Sequence, residues 1–212
     1  MEFDFEKLSA HLSYNFMVST IVPRPIALVS SVDPEGRINA APFSFFNGMC
    51  SDPPVVVVGV IGKDEGAAKD TARNLAATGE FVVNLVDEAL AERMNVCAVD
   101  FAAGIDELAE AGLTPVPSVK IKPPRIGESP VSFECRRLIG LDLGRGSSIE
   151  VGRIVHAHIR DDYVIDAGRA YIATDKMRLI RRMHGRGWYA RTTDLFEMAR
   201  LTVKQWRARR GE

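Results

Sequence analysis

The chain has few cysteines, and they show no pattern that would build a disulfide framework or a zinc site. Its 212 residues include three isolated cysteines, Cys50, Cys97 and Cys135. No CxxC pair occurs, and no cysteines and histidines stand at zinc-ligand spacing. Isolated thiols of this kind are typical of a reducing compartment and usually behave as small hydrophobic residues. We therefore expect a cytoplasmic protein that folds without disulfides or a structural metal.

The sequence also lacks a strong net charge and a long apolar run. The formal net charge is -1, whereas a domain that binds nucleic acid through phosphate contacts is usually basic. No apolar run approaches the roughly 20 residues that a membrane helix needs. We therefore expect neither a nucleic acid nor a membrane as a partner.

Several catalytic and metal-binding signatures are missing as well. No G-x-G-x-x-G follows a strand, and there is no Walker phosphate loop and no G-x-S-x-G nucleophile motif. His156 and His158 are two residues apart, so a strand would place both on one face. No carboxylate partner for them is evident, so we expect no metal site. We also assign no catalytic side chain.

The sequence does contain a series of strand-like runs joined by turns. RPIALVSSVD (24–33) and INAAPFSFF (38–46) flank a DPEG turn, and two long runs flank Gly144–Gly146, so each pair predicts a hairpin. PPVVVVGVIG (53–62) is rich in β-branched residues and fits a strand that is buried on both faces. Six or seven strands with hairpin connections and few helices predict a mainly β fold, an antiparallel barrel or sandwich. The length favours one domain, 1–212.

A polar cluster, KDTARN (69–74), stands between two apolar runs. The pattern predicts a helix over 70–78, with Asp70 or Thr71 as its N-cap and Gly79 at its end. The start of a helix offers unpaired N–H groups and a partial positive charge, which stabilise an anion. Thr71 would add a hydroxyl donor and Lys69 a full positive charge. A capped surface helix with a solvated lysine is the plainer interpretation of this pattern alone.

Three other stretches carry candidate binding residues. In NAAPFSFFNGMCSDPP (39–54), small polar residues alternate with aromatic ones, so Ser44, Asn47 and Ser51 could donate hydrogen bonds to a flat ligand between phenylalanine walls. Ser30 and Ser31 come late in a strand, where polar groups could contact the edge of a ring system. HGRGWYARTTDLFE (184–197) could cover a ligand or reach a partner subunit. A half-buried strand, a hairpin approach and a surface loop are the plainer alternatives.

Taken together, four segments resemble one known family. They are YNFMVSTIVPRPIALVSSVDPEGRINAAPFSFFNGMCSDPP (14–54), KDTARNLAATGEFVVNLV (69–86), AGLTPVPSVKIKPPRIGESPVSFECR (111–136) and GWYARTTDLFE (187–197). In order and spacing they are similar to the flavin reductase-like, FMN-binding split-barrel proteins, above all to the flavoredoxin-like branch. The resemblance covers nearly the whole chain and leaves an extension from about residue 198.

The resemblance implies a six-stranded antiparallel split β-barrel and a homodimer with FMN near the subunit interface. Lys69, Asp70 and Thr71 would lie at the FMN phosphate, and Arg186, Trp188 and Tyr189 would reach over the flavin. Ser30, Ser31 and the segment 39–47 would line the isoalloxazine ring and the ribityl chain of FMN. The implied cofactor-binding residues are Ser30, Ser31, Asn39, Ser44, Phe45, Phe46, Asn47, Lys69, Asp70, Thr71 and Trp188.

Two functions are compatible with this resemblance. The first is an NAD(P)H-dependent FMN reductase, which passes hydride from NADH or NADPH to the flavin and could supply a partner oxygenase or another redox protein. The second is an electron-transfer protein that holds FMN without oxidising NAD(P)H directly. In either case the cofactor would supply the chemistry, and no side-chain acid or base would be needed.

Overall fold

The computed structural model describes residues 1–63, 66–102, 104–185 and 187–210. Its longer strands are β2 to β6, β9 and β10, and the other strands have two or three residues. The strands are β1 Arg24–Pro25, β2 Ala27–Val32, β3 Ile38–Phe43, β4 Phe46–Ser51, β5 Pro54–Val60, β6 Glu80–Leu85, β7 Pro115–Val116, β8 Arg125–Ile126, β9 Val131–Gly144, β10 Ser147–Ile159, β11 Val164–Asp166, β12 Tyr171–Ile172, β13 Ile180–Arg182 and β14 Tyr189–Arg191. The helices are α1 Ala10–Thr20, α2 Asp70–Thr78, α3 Ala91–Val96, α4 Glu107–Glu110 and α5 Val203–Arg209, with 3-10 turns at Asp161–Tyr163 and Ala167–Arg169.

The main sheet is antiparallel and has the strand order β3-β2-β6-β9-β10-β5-β4. Its two edge strands, β3 and β4, are consecutive in the chain and are joined by Ser44 and Phe45 alone. A connection this short between opposite edges requires the sheet to curl round on itself. The result is the predicted mainly β split barrel, and both predicted hairpins, β2–β3 and β9–β10, are present.

The sheet has seven strands where six were expected, because the segment predicted as one strand over 38–46 is divided. Pairing with β2 stops at Phe43, and pairing with β5 begins at Phe46. At the corner, the Gly59 N–H donates to the Phe45 carbonyl at 2.7 Å. A Cβ on Gly59 would lie 3.0 Å from the Phe45 Cβ, so a glycine lets the chain turn closely there.

Two apolar clusters occupy the two faces of the sheet. The inner cluster fills the barrel, and alternate residues of β5 point into it. The outer cluster lies between β2 and the segment that carries α3 and α4. Inside are Ala27, Val29, Phe43, Val56, Val58, Val60, Ala72, Leu75, Phe81, Val83 and Cys135; outside are Ile26, Leu28, Ala40, Val86, Leu90, Met94, Cys97, Leu108, Ala111, Leu113, Ile126 and Ile180. Because β2 is covered on both faces, all six of its residues are buried.

Helix α2 crosses between β5 and β6 and has the predicted bounds. It ends at Gly79, whose φ of 71° is the left-handed conformation that glycine adopts most readily. The predicted N-caps, Asp70 and Thr71, are wrong, because Lys69 occupies the N-cap position, where its side chain makes no capping hydrogen bond. The first N–H groups of α2 therefore have neither an intrahelical partner nor a side-chain cap at this position.

The turn of the β9–β10 hairpin supports the chain just before α2. The Gly62 N–H donates to Ser147 Oγ at 3.0 Å. A Cβ on Gly62 would lie 2.2 Å from the Arg145 carbonyl oxygen, and a Cβ on Gly146 would lie 2.4 Å from Ala67. Glycines at both positions allow the two backbones to approach this closely, which holds the start of α2 against the barrel.

The two ends of the chain lie at the surface. In α1 only Val18 is buried. Residues 193–210 are exposed, and α5 begins at Val203, so Phe196 and Ala199 lie outside the helix. Among the described residues, no helix combines the length and the apolar character that crossing a membrane would require.

Candidate functional site

Two adjoining cavities form a cleft beside the start of α2, and Pro42 and Lys69 line both of them. The smaller cavity has a volume of about 90 Å³ and reaches from Asn39 to the chain around Cys97. The larger, of about 340 Å³, runs along the barrel corner towards α1. We call the two together the Lys69 cleft, because this side chain stands between a polar end and an apolar end.

The polar end is built by the start of α2 and by β3. The Asn39 Nδ2 group donates to Thr71 Oγ1 at 3.0 Å, and both side chains are at least nine-tenths buried. Because Thr71 accepts this bond, its own hydroxyl proton is free to be donated elsewhere. The cleft therefore presents a hydroxyl group beside the unpaired N–H groups of the helix.

At the polar end, some charged side chains form ion pairs with described residues and Lys69 does not. The Asp70 carboxylate contacts the Arg73 guanidinium and lies 3.4 Å from Lys63 Nζ. Lys69 forms no ion pair with any residue that the structure describes, and it is half-buried on the cleft wall. A helix start beside an uncompensated ammonium group is a site for an anion.

The apolar end is walled by Tyr14 and Val18 from α1 and by Pro42, Phe43 and Phe45. Ser44 adds a hydroxyl group at its rim. Aromatic and aliphatic walls with a few polar groups are typical of a site for a flat ring system. The helix α1 was not anticipated from the sequence, so its contribution to this wall was missed.

Arg24 also supports the apolar end of the cleft, and it was not among the residues predicted from the sequence. It is buried behind the apolar wall, where its guanidinium lies 5.9 Å from the centre of the Phe45 ring and its Nε donates to Ser44 Oγ at 3.3 Å. It also donates to three backbone carbonyls, those of Val18, Ile21 and Met183. Burial lowers the pKa of Arg24. The sequence signal that could have indicated a buried arginine is that Arg24 is the one charged residue in the apolar run VPRPIALV (22–29).

Glu107 at the start of α4 lies where the smaller cavity meets the outer cluster. Its carboxylate accepts the Ala40 N–H at 2.9 Å. Burial, reinforced by the nearby Asp106 and Asp70 carboxylates, raises the pKa of Glu107 above its ordinary value. Burial also raises the pKa of the neighbouring Cys97 thiol to about 12, so this cysteine stays protonated and unreactive near neutral pH.

The structure thus brings six of the eleven expected residues to the cleft: Asn39, Ser44, Phe45, Lys69, Asp70 and Thr71. Ser30 and Ser31 are fully buried beneath it. The Ser30 hydroxyl donates to the Pro124 carbonyl at 2.5 Å, and Ser31 Oγ accepts from Asn74 at 3.2 Å. Hydroxyl groups that bond to the protein in this way support the sheet around the cleft.

The other three expected residues do not line the cleft. Phe46 packs against the inner cluster, and Asn47 is exposed on β4. Trp188 is 64% exposed, with its ring stacked 6.2 Å from that of His184. Arg186, expected to reach over the flavin, lies outside the described residues. Their roles in binding remain predictions.

Comparison with known proteins identifies the family to which this architecture belongs. The family model for the flavin reductase like domain matches residues 18–175. An uncharacterized protein of Deinococcus radiodurans is 38% identical over 208 residues, which are 96% of this chain and 91% of that protein. The chain therefore belongs to the flavin reductase-like family, and the resemblance seen in the sequence is confirmed.

Solved structures show the same relationship. Nitrilotriacetate monooxygenase component B from Bacillus cereus has a TM-score of 0.87 and 30% identity, covering 93% of this chain and 98% of that one. The Pseudomonas fluorescens 2-nitrobenzoate 2-nitroreductase NbaA has a TM-score of 0.86 and 35% identity, covering 96% and 98%. A flavoredoxin of Desulfovibrio vulgaris, at 19% identity, has a TM-score of 0.74 with 94% and 97% covered, a likeness of fold alone.

Proposed function

We propose that the protein is an FMN-binding oxidoreductase that reduces the flavin with NADH or NADPH. The observation that carries the proposal is the Lys69 cleft. In it, an uncapped helix start, with a lysine that has no ion-pair partner among the described residues, adjoins an apolar cavity walled by Phe43 and Phe45. FMN has a matching division, because its phosphate is an anion and its ring is flat and largely apolar. The family relationship supports the same cofactor.

The residues of the cleft fit FMN group by group. Lys69, the Thr71 hydroxyl and the N–H groups of α2 are donors suited to a phosphate. Phe45 and Tyr14 offer apolar contact area for the ring, and Ser44 offers a hydroxyl at its edge. FMN would supply the redox chemistry by accepting and releasing hydride equivalents.

The protein's own part in the reaction is to bind and to orient. Arg24 ties α1 to the corner of the barrel and holds Ser44 and Phe45 in place. The larger cavity is open to solvent on its outer side, which leaves room for a nicotinamide to approach the flavin. Direct hydride transfer needs no protein acid or base, so we assign none.

We further propose that the protein acts as a homodimer. Ile139, Leu141 and Leu143 of β9 are 47–62% exposed and lie on one face of the strand. Through the register of the sheet, Ile139 stands opposite Val151, which stands opposite Val57. Val151 and Val57 are half-buried, so an apolar face continues from β9 across β10 to β5. An apolar face of this kind is typical of a protein interface. One solved relative is nitrilotriacetate monooxygenase component B, which supports a partner oxygenase as the recipient of reduced flavin.

A visible absorption spectrum tests the proposed function. The protein is mixed with FMN, desalted, and then treated anaerobically with NADH and, separately, with NADPH. We expect the protein to retain flavin. We also expect the visible absorption band of the oxidised flavin to bleach rapidly with at least one of the two nucleotides. Retained flavin that stays oxidised with both would support the electron-transfer alternative, and an equilibrium titration without FMN affinity would overturn the cofactor assignment.

A further inference from the structure

Three potential metal ligands meet on β9 and β10, away from the Lys69 cleft. The His156 and His158 rings lie side by side on β10, with their centres 4.8 Å apart. The register of the hairpin places Glu134 of β9 opposite His156, and a carboxylate oxygen of Glu134 lies 2.6 Å from His158 Nε2. One ligand atom from each of the three side chains lies within 4.8 Å of the other two. This carboxylate partner is not evident in the sequence, because Glu134 stands across the hairpin from His156.

The buried carboxylate of Glu134 is already oriented towards the two histidines. Its side chain is fully buried, and the N–H groups of Val119 and Lys120 each donate to one of its oxygens at 2.7 Å. Among the ion pairs of the described residues, Glu134 has His158 as its one cationic partner, and a histidine is charged only when protonated. A buried carboxylate requires a compensating positive charge. A metal ion would supply it without protonating either imidazole.

The chemistry of the ligand set selects the class of metal. Two imidazole nitrogens and one carboxylate oxygen suit Zn²⁺ and related transition metals, whereas Mg²⁺ and Ca²⁺ prefer oxygen ligands throughout. Zinc bonds of about 2.0–2.2 Å require ligand atoms within about 3–4 Å of one another. The three ligand atoms, which lie within 4.8 Å of one another, would therefore rearrange around a bound ion. The backbone bonds to Glu134 are the kind of outer contact that orients a metal ligand.

We propose that Glu134, His156 and His158 bind one zinc ion, with the fourth position open to solvent. The His158 side chain is 20% exposed, which gives the ion a path of entry. The ion would link β9 to β10 and, through Glu134, to the chain at Val119 and Lys120. The three side chains are not among those that line the cleft, so zinc binding there would be independent of the flavin.

Zinc binding tests the proposal directly. The full chain, without a histidine tag and treated with a chelator, is titrated with ZnCl₂ by isothermal calorimetry, and its thermal unfolding is measured with and without zinc. We expect one zinc per chain and a higher Tm with zinc. In His156→Ala, which leaves the His158–Glu134 hydrogen bond in place, affinity should fall by about 100-fold or more, because even an outer partner of a metal site is worth about 10–100-fold.

His11→Ala is the matched control, because His11 is exposed on α1 and belongs to no such cluster of described residues. It should bind zinc as the unchanged protein does. Glu134→Gln serves as a second ligand variant, and circular dichroism establishes that each variant is folded. The proposal is overturned if the unchanged protein binds no zinc, or if His156→Ala and folded Glu134→Gln bind it as tightly as His11→Ala. If the unchanged protein binds no zinc, the contact between His158 and Glu134 is a hydrogen bond and not part of a metal site.

Discussion

At the scale of single residues, Lys69 supplies the positive charge at the polar end of the cleft that is available to an anionic ligand. Its neighbours Lys63 and Arg73 are engaged with Asp70, and Thr71 is engaged with Asn39. Within the part of the chain that the structure describes, Lys69 has no ion-pair partner and its N-cap position has no side-chain cap, so its charge is available to a ligand beside the first N–H groups of α2. A single side chain that adds a full charge to a helix start has a larger effect on anion binding than a lysine on an ordinary surface.

Lys69→Met should weaken FMN binding, because it keeps most of the apolar stem and removes the ammonium group. The expected loss is about 1–3 kcal/mol of binding free energy, the value of a charge-assisted hydrogen bond. Quenching of FMN fluorescence on titration measures it. Lys176→Ala, which changes an exposed lysine outside the cleft, should bind as the unchanged protein does. Equal affinity in all three proteins would remove Lys69 from the phosphate site.

The contributions of Glu128 and Glu107 to the free energy of unfolding should depend on pH in opposite directions. Burial tends to raise the pKa of Glu128, but hydrogen bonds from Thr114 and the charge of Arg93 outweigh it, so the pKa lies below the ordinary 4.5. A lowered carboxyl pKa stabilises the fold above the unfolded pKa, and that contribution disappears as the pH falls through the folded pKa. Glu128→Gln should therefore destabilise the protein near pH 7 and matter less in acid.

Glu107→Gln is the counterpart, because burial raises the pKa of Glu107. Ionising a group with a raised pKa costs folding free energy, and this cost grows as the pH rises from the unfolded to the folded pKa. The glutamine still offers an oxygen to the Ala40 N–H, so it should be tolerated better near pH 7 than in acid, relative to the unchanged protein. Urea unfolding at both pH values measures the two differences. Parallel pH dependences in the two variants would contradict the assignment.

At the scale of elements, the site depends on how the β9–β10 turn holds the chain before α2. Gly62 lines the apolar cavity and faces the Arg145 carbonyl, and Gly146 faces Ala67. These contacts join backbone to backbone, so no change of rotamer can relieve a clash there. The position of Lys69 and the start of α2 is thus set by the turn of a hairpin whose second strand, β10, pairs with β5, the strand that leads to Gly62.

Gly62→Ala should therefore displace the segment that leads into α2. The added Cβ would lie 2.2 Å from a backbone oxygen, and an overpacked site of this kind costs about 1–3 kcal/mol of stability. We expect both a lower Tm and weaker FMN binding. Gly48→Ala is the control, because a Cβ at Gly48 would meet no atom within 4 Å. If Gly62→Ala behaves like Gly48→Ala in both measurements, the turn does not position the site.

At the scale of the whole molecule, the barrel has a filled interior and an apolar patch on its outer face. The patch includes Ile139 and Leu141 on β9, and it runs through the sheet register to Val57 of β5, whose partner on β4 is Asn47. A second copy that covers this face would lie next to Asn47, which the single chain leaves exposed. This arrangement would account for a flavin site near a subunit interface.

A homodimer should be visible by size-exclusion chromatography with light scattering. Replacing both Ile139 and Leu141 by Asp should yield a monomer, because two charges would be buried in the proposed interface. Lys176→Ala again provides a control that should remain dimeric. A monomeric unchanged protein, or a folded double variant that remains dimeric, would contradict the proposed interface.

The sequence by itself determined the fold class, the helix over 70–78 and the polar cluster at its start. Periodicity, turn residues and helix signals are local, and nearby residues are enough to specify them. It did not reveal the division of β3 from β4, the buried Arg24 behind Phe45, or the meeting of Glu134 with two histidines. Those features arise where separate strands are brought together, and the pairing register that joins them is decided only when the sheet closes and buries its core.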